Sequence, residues 1–199
     1  MKFEQSSTPF EKGNKKEALE SGYEFGAIEE LRYPMKKILD ELRPEIDKGN
    51  YNLIIGDDAS GRIPTLVFNS VIRELYKEKN YSNPAVYFVA CQRFFSQKEQ
   101  EIKKSLAVNS YISKIKEEIE KEGGDVTKAL VVTDTIASGS SLMPIAESLK
   151  QNNVDFDVAT IGMVCDATIL DVRKQRIEKL LGAKIVWGLI GTPCDISAL

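Results

Sequence analysis

Residues 129–141 of the chain read Ala-Leu-Val-Val-Thr-Asp-Thr-Ile-Ala-Ser-Gly-Ser-Ser, and this stretch decides the fold. Four apolar residues predict a buried strand, small residues fill a turn, and Ser140 and Ser141 begin a helix. The first amide N–H groups of a helix lack partners within the helix and lie at the positive end of its dipole. The stretch therefore predicts a strand–turn–helix unit that binds a phosphate. An ordinary turn capped by serine is the alternative.

The rest of the chain alternates in the same way between apolar runs and amphipathic segments. Each run is continuously apolar, as in a parallel sheet that is covered on both faces. We therefore predict an α/β fold with a doubly wound, about five-stranded parallel sheet flanked by helices. Pro44 is expected to end the first helix. The strands are predicted at residues 53–55, 86–90, 129–132, 156–164 and 184–189, and the helices at 28–42, 64–75, 97–122, 140–149 and 168–181.

The length of 199 residues suggests a single α/β domain over residues 25–199, preceded by a polar tail or flap at residues 1–24. We expect the two chain ends to build a small flap. The net charge of −3 gives no sign of a nucleic-acid-binding surface. No stretch approaches the roughly 20 apolar residues that cross a membrane, and the N-terminus lacks the apolar segment of a signal peptide. These features favour a cytoplasmic protein without nucleic-acid or membrane partners.

The cysteine and histidine content narrows the possible chemistry. Three cysteines, Cys91, Cys165 and Cys194, are widely spaced and predict neither a disulfide framework nor a zinc site. The chain has no histidine, which excludes mechanisms of the Ser-His-Asp or Cys-His type. Any catalysis therefore uses carboxylates, lysine, tyrosine, a metal bound by oxygen ligands, or positioning alone.

Two loops lie beyond the carboxyl ends of predicted strands, where doubly wound sheets bind their ligands: residues 56–62 and 133–141. In the second loop, the Asp134 carboxylate can accept hydrogen bonds from two vicinal hydroxyls, as on a ribose. Residues 137–139 are small enough for the backbone to approach a ligand closely. The hydroxyl groups of Ser140 and Ser141 can add donors. These features indicate a sugar-phosphate site.

The stretch from Val131 to Ser141 resembles the phosphoribosyl-pyrophosphate signature of type I phosphoribosyltransferases. That signature has four apolar residues, two acidic residues, an apolar pair, two small residues, Gly, any residue, and Ser or Thr. The resemblance implies that residues 137–141 hold the 5-phosphate and that Asp134 holds the ribose hydroxyls. The implied phosphoribosyl site consists of Thr133, Asp134, Thr135, Ala137, Ser138, Gly139, Ser140 and Ser141.

The loop after the first strand resembles the loop that binds pyrophosphate in the same family. The Arg62 guanidinium can bind two phosphate oxygens at once. Asp57 and Asp58 can hold Mg²⁺ through water, since magnesium keeps most of its hydration. Capping the helix or stabilising the turn is the alternative role for these two carboxylates. The implied pyrophosphate site consists of Asp58, Ala59, Ser60, Gly61 and Arg62.

Two positions within the signature bear on the subgroup and on catalysis. Thr133 stands where the family usually has the first of two acidic residues. Ala137 stands where some purine-specific members carry an aspartate as general base, which argues against that subgroup. Adenine- and orotate-type members commonly have a small residue at this position. The acceptor base stays open.

Two other segments offer weaker candidates. Arg93 and Lys98 follow the second strand, where the family has a flexible catalytic loop, and they are candidates for phosphate contacts. Lys184 and Trp187 are candidates for contacts with a base, although a plain core strand is the alternative.

The resemblance implies a phosphoribosyltransferase that moves ribose 5-phosphate from phosphoribosyl pyrophosphate to a nitrogenous base and releases pyrophosphate. Asp134 and Arg62 are the expected catalytic residues, and Mg²⁺ is the expected cofactor. The expected partners are the small-molecule phosphoribosyl donor and an unidentified base, and the family suggests a homodimer. A protein of the same fold that senses a phosphoribosyl compound without turnover is the alternative. An unrelated doubly wound domain is a third possibility.

Overall fold

The computed structural model describes residues 26–57, 61–90 and 98–191. The predicted tail or flap at residues 1–24 and the C-terminal part of the flap lie outside the described residues. Side chains are described for all of these residues except 26–30, 98–102 and 104.

Strands and helices alternate along the described part of the chain, as the sequence predicts. The strands are β1 (Tyr51–Asp57), β2 (Ala85–Val89), β3 (Lys128–Ile136), β4 (Asp155–Val164) and β5 (Lys184–Gly191). The helices are α1 (Gly26–Ile46), α2 (Arg62–Glu78), α3 (Lys98–Lys121), α4 (Met143–Gln151) and α5 (Leu170–Leu181). Short 3-10 turns, Ser140–Leu142 and Ala167–Ile169, precede α4 and α5.

The five strands form one parallel sheet in the order β2-β1-β3-β4-β5. The winding of the chain reverses between β1 and β3, and this position is the topological switch point, where open α/β sheets bind their ligands. The predicted fold class, a doubly wound parallel sheet flanked by helices, is confirmed. The two loops singled out in the sequence follow the two strands that meet at the switch point.

Helices cover both faces of the sheet and enclose two apolar cores. Helices α3, α4 and α5 pack on one face, where Ile112, Ile145 and Ile177 contact alternate residues of the strands. Helices α1 and α2 pack on the other face, with Ile38 and Phe68 fully buried. Burial on both faces explains why the strands are continuously apolar in sequence.

Pro44 does not end α1, contrary to the prediction. The helix continues to Ile46 and contains both Pro34 and Pro44. Leu42 and Ile46 are buried in the core beneath α2 and the sheet, so packing of the last turn outweighs the backbone hydrogen bond that a proline removes. The chain then turns at Gly49, which has a positive φ of 72°.

A polar network joins the amino-terminal ends of the strands, opposite the switch-point loops. The Tyr51 hydroxyl donates to Asp157 Oδ2 at 2.7 Å, and Lys128 Nζ lies 2.8 Å from the same oxygen. Lys128 Nζ also lies 3.1 Å from Glu45 Oε2. Hydrogen bonds from Asn50 and Lys128 lower the pKa of Glu45 to about 2, and burial raises the pKa of the Tyr51 hydroxyl, which stays protonated as a donor. The network joins α1, β1, β3 and β4.

Candidate functional site

The loop after β1 contacts β3 at the switch point. Gly56 of β1 pairs in register with Val132 of β3, and the chain of the first loop returns to β3 at Gly61. A Cβ atom on residue 61 would lie 2.6 Å from the Val132 carbonyl oxygen and 2.8 Å from that of Asp57. The Gly61 N–H donates to the Asp57 carbonyl at 2.8 Å. A glycine is therefore required for the first loop to lie against the end of β3.

The turn after β3 is shorter than the sequence predicts. Backbone pairing with β4 continues to Ile136, opposite Met163, so only residues 137–139 connect the strand to the 3-10 turn. The α-helix itself begins at Met143 rather than at Ser140. The apolar run ends at Val132, but pairing with β4 extends the strand beyond it. The pattern of one segment does not show such pairing between distant segments.

Gly139 gives this turn its shape. Its φ of 76° lies in the left-handed region, which side-chain-bearing residues rarely adopt. The Leu142 N–H donates to the Gly139 carbonyl at 3.1 Å and closes the 3-10 turn. A Cβ on residue 139 would lie 2.6 Å from Ile177 Cγ2, so the turn packs directly on α5. The predicted glycine thus serves contact with α5 as well as the turn.

The turn presents donors of the kind that a phosphate requires. Ser138 Oγ and Ser140 Oγ lie 2.6 Å apart and share a hydrogen bond, and Ser138 is exposed. Over the residues that the structure describes, the amide N–H groups of Ser138 and Gly139 donate no hydrogen bond. Amides and hydroxyls in a compact turn suit an anion. These donors belong to the turn rather than to the first turn of an α-helix, which differs from the prediction.

Thr133 and Asp134 lie in different environments because side chains alternate along a strand. Leu130 and Val132 pack in the core with α1 and α2, whereas Val131 packs with α3, α4 and α5. Thr133 lies on the same face as Val131 and is only 2% exposed. Asp134 lies on the same face as Leu130 and Val132 and is half-buried at the carboxyl end of the sheet. Asp134 is thus the more accessible of the two residues at the carboxyl end of β3.

The other signature residues lie around the turn. Thr135 is half-buried near the end of β3, and Ala137 is exposed at the start of the turn. Ser140 and Ser141 are half-buried in the 3-10 turn. The structure therefore brings the predicted phosphate-binding residues together in one short connection.

The residues predicted to bind pyrophosphate are described in part. Arg62 is the first residue of α2 and is exposed, and its guanidinium carbon lies 5.2 Å from the centre of the Phe88 ring. Asp57 ends β1 and is 7% exposed. Asp58, Ala59 and Ser60 lie outside the described residues, as do Arg93 and the side chain of Lys98.

The carboxylates at the switch point fit a magnesium ion that is shared with the phosphates of a ligand. Among residues 26–57, 61–90 and 98–191, no three acidic, cysteine or histidine side chains group together as a metal site would require. Magnesium is usually held by one or two carboxylates together with the phosphates of a ligand. Asp57 and Asp134 end neighbouring strands but lie on opposite faces of the sheet, because Asp57 follows Ile55 on the face of α3, α4 and α5 and Asp134 follows Val132 on the face of α1 and α2. Each carboxylate suits an ion that is shared with a ligand, and the two do not form a cage made by protein alone.

Arg173 contacts the turn and was missed as a site residue. It lies on α5, and its Nε donates to the Ala137 carbonyl at 3.0 Å. With Ala137, Ser138 and Ser140 it lines an open groove of about 900 Å³ beside α5. In the sequence, Arg173 interrupts the apolar helical stripe of Leu170, Ile177 and Leu181. A charged residue on that stripe was the signal that could have indicated a role in the site.

Lys184 does not lie near this site, and Trp187 is a packed residue in the middle of β5. Lys184 begins β5 and pairs with Asp157, which places it at the opposite edge of the sheet. The Trp187 ring is half-buried, with Lys174 Nζ 4.5 Å and Lys37 Nζ 4.9 Å from its centre. The alternative interpretation, a packed strand, describes both residues.

Comparisons with known proteins yield structural similarity only. No family model and no curated protein matches the chain. An orotate phosphoribosyltransferase from Aeropyrum pernix is 13% identical with a TM-score of 0.45, over 87% of this chain and 75% of that one. A phosphoribosyltransferase from Corynebacterium diphtheriae is 17% identical with a TM-score of 0.36, over 81% and 76%. Because these values are low, we base the function on the site residues.

None of the helices in the described part of the chain is both long enough and apolar enough to cross a membrane.

Proposed function

We propose that the chain binds a phosphoribosyl compound at the switch point, with the 5-phosphate on the turn at residues 137–141. The observation that carries this proposal is the turn itself. Gly139 holds a left-handed conformation, the Ser138 and Ser140 hydroxyls lie together, and the Ser138 and Gly139 amides donate to no other described group. A phosphate would accept hydrogen bonds from these donors. Asp134 would accept those of the ribose hydroxyls.

The reaction that fits this ligand is transfer of ribose 5-phosphate to a nitrogenous base. The bond between C1 of the ribose and a pyrophosphate oxygen breaks, and a bond between C1 and a base nitrogen forms. Positive charge develops on the sugar ring while negative charge develops on the departing pyrophosphate. Arg62, exposed at the start of α2, would stabilise that negative charge. Such a reaction makes little demand on acid–base groups, so it suits a chain without histidine.

Magnesium fits the proposed site as an ion shared with the ligand. When bound, the ion would supply positive charge that stabilises the pyrophosphate leaving group. Asp134 is the described carboxylate beside the proposed ribose position that would hold it, directly or through water. Asp57, predicted for the same role, ends β1 on the opposite face of the sheet. Asp58 shares this predicted role from the part of the loop outside the described residues.

A protein that binds the same compound without turnover is the second candidate, and Thr133 is the observation that favours it. The side chain stands in place of the usual first acidic residue and is 2% exposed. Only Asp134 of the usual acidic pair is then present to interact with the ribose and the metal. Loss of one such carboxylate would weaken catalysis more than it weakens phosphate binding, because the phosphate is held elsewhere.

A homodimer is part of the same proposal, because α2 carries an exposed apolar patch. Ile63, Leu66 and Val67 are 69%, 54% and 40% exposed, and their spacing places them on one side of the first two turns of the helix. The patch begins directly after Arg62. Contact between two copies through it would remove these side chains from water.

Pyrophosphate release separates the two candidate functions. The chain is incubated with phosphoribosyl pyrophosphate, Mg²⁺ and a panel of purine and pyrimidine bases, and pyrophosphate is measured. Asp134→Asn tests the site. Asp155→Asn is the matched control, because Asp155 is exposed at the opposite edge of the sheet and the change is chemically identical.

Turnover that is lost in Asp134→Asn and retained in Asp155→Asn supports a phosphoribosyltransferase. Binding by calorimetry without turnover for any base supports the sensor. Absence of binding at millimolar ligand by the folded chain contradicts both functions.

A further inference from the structure

The hydrogen bond between Arg173 and Ala137 joins α5 to the turn after β3. Arg173 Nε donates to the Ala137 carbonyl at 3.0 Å, across 36 positions of the sequence. The Arg173 side chain is half-buried, whereas Arg176, three residues further along α5, is exposed. An arginine that donates to a turn carbonyl favours one orientation of that peptide group.

The orientation of this carbonyl decides where the next amide points. The Ala137 carbonyl and the Ser138 N–H belong to the same peptide group, and in a trans peptide they point in opposite directions. When Arg173 holds the carbonyl toward α5, the Ser138 N–H must point away from Arg173. A peptide turned the other way would present an oxygen in place of that donor, and an oxygen would repel an anion.

A second contact from α5 acts on the same turn. Gly139 packs on Ile177, four residues after Arg173 and therefore on the same side of the helix. The apolar contact fixes the position of the turn, and the hydrogen bond from Arg173 fixes the direction of one of its peptides.

We propose that Arg173 is a positioning residue that aims the Ser138 amide at the phosphate of the ligand. The proposal rests on the proposed phosphoribosyl site. Arg173 acts through the Ala137 carbonyl and has no need to touch the ligand. Its contribution is therefore specific to ligands that carry a 5-phosphate.

The test compares two substitutions that remove the same charge from the same helix. Arg173→Met loses the contact with Ala137, and Arg176→Met does not, because Arg176 makes no hydrogen bond or ion pair to any described residue. Calorimetry measures the affinity of each variant for ribose 5-phosphate and for inorganic pyrophosphate with Mg²⁺. Thermal unfolding verifies that both variants fold.

The expected result is a loss of about tenfold in ribose 5-phosphate affinity for Arg173→Met, with pyrophosphate affinity unchanged. Arg176→Met, which removes a charge that lines the same groove and makes no contact with the turn, loses clearly less affinity, and Arg173→Lys, which retains a donor, recovers part of the loss. Equal losses in the two methionine variants would show a general charge effect and would overturn the proposal. Parent-like binding by Arg173→Met would overturn it as well.

Hydrogen exchange of the Leu142 amide gives a readout that needs no ligand. This amide donates to Gly139 and reports the order of the turn. If the parent chain binds no ribose 5-phosphate, the proposed function fails, and the positioning role is decided by exchange alone. Exchange about tenfold faster in Arg173→Met than in Arg176→Met supports that role. Equal exchange in the two variants overturns it.

Discussion

Gly61 lies directly against the carbonyl oxygen of Val132, so that the loop after β1 rests on the end of β3. A Cβ on residue 61 would be 2.6 Å from this oxygen, which belongs to the middle strand of the sheet. The contact joins the loop after β1 to the strand that leads to the second loop. The start of α2 is therefore positioned against β3, the strand that ends in the turn at residues 137–139.

Replacement of Gly61 by alanine is expected to disturb the loop after β1 and the strand β3 on which it rests. The added methyl group would overlap two backbone oxygens, those of Val132 and Asp57, and neither can move without distorting β1 or β3. Overpacking of this kind costs about 1–3 kcal/mol. Thermal unfolding of Gly61→Ala should show the loss, and calorimetry should show weaker binding of phosphoribosyl pyrophosphate. A variant with the stability and affinity of the parent would contradict the described contact.

Replacement of Gly139 by alanine is expected to cost more than the same change at Gly123. Both glycines have a positive φ, 76° and 83°. The left-handed conformation costs alanine about 1–2 kcal/mol at either position. At Gly139 the new methyl group would also lie 2.6 Å from Ile177 Cγ2, whereas the space around Gly123 is open. The two free energies of unfolding, measured by denaturant titration, should differ by about 1 kcal/mol or more.

Equal losses at the two glycines would mean that the turn does not pack on α5 as described.

Glu45 is expected to contribute to stability above its ordinary pKa and to lose that contribution in acid. Asn50 and Lys128 hydrogen bonds lower its pKa from 4.5 to about 2, and Asp157 shares Lys128. Because the folded-state pKa lies below the unfolded one, stabilisation is complete above pH 4.5 and disappears as the pH falls toward 2. Solvent screening limits the effect to about 1 kcal/mol.

The measurement is the free energy of unfolding of the parent and of Glu45→Gln between about pH 6 and about pH 3. The difference between them should shrink by more than half over this range. Glu74→Gln is the control, because Glu74 is exposed on α2 and forms no ion pair within the described residues. A difference that is independent of pH would contradict the network.

A glutamate in place of Leu66 is expected to separate the proposed homodimer. Leu66 is 54% exposed in the middle of the apolar patch on α2, so a charge there costs little in a monomer and much in an interface between copies. Light scattering coupled to gel filtration should give twice the chain mass for the parent and the chain mass for Leu66→Glu. A monomeric parent would contradict the proposed dimer without bearing on the phosphate site.

Most of the fold could be predicted from local sequence patterns, because apolar runs and helical stripes report burial directly. The structure differs from the prediction where contacts with residues distant in sequence determine the end of a strand or helix. β3 continues through Thr135 because β4 pairs with it, and α1 continues past Pro44 because its last turn is buried. The contact of Arg173 with Ala137 spans 36 residues, and no spacing rule within one helix predicts it.

The signature likewise predicts which residues share the turn and leaves their orientation open. Thr133 and Asp134 are adjacent in the motif, yet strand alternation buries the first in the core and leaves the second partly exposed at the carboxyl end of the sheet. Thr133, which stands in place of the first acidic residue of the signature, is therefore a buried residue. That could be recognised only once the register of β3 was known.

The central claim, that the turn at residues 137–141 binds the 5-phosphate of a phosphoribosyl compound, is tested most directly by a crystal structure with ribose 5-phosphate. We predict density for the phosphate within hydrogen-bond distance of the Ser138 and Gly139 amides, with the Ser138–Ser140 hydroxyl pair separated to donate to it. The ribose hydroxyls should lie at Asp134. A phosphate bound elsewhere on the folded chain, with this turn empty and its two hydroxyls still paired, would contradict the account.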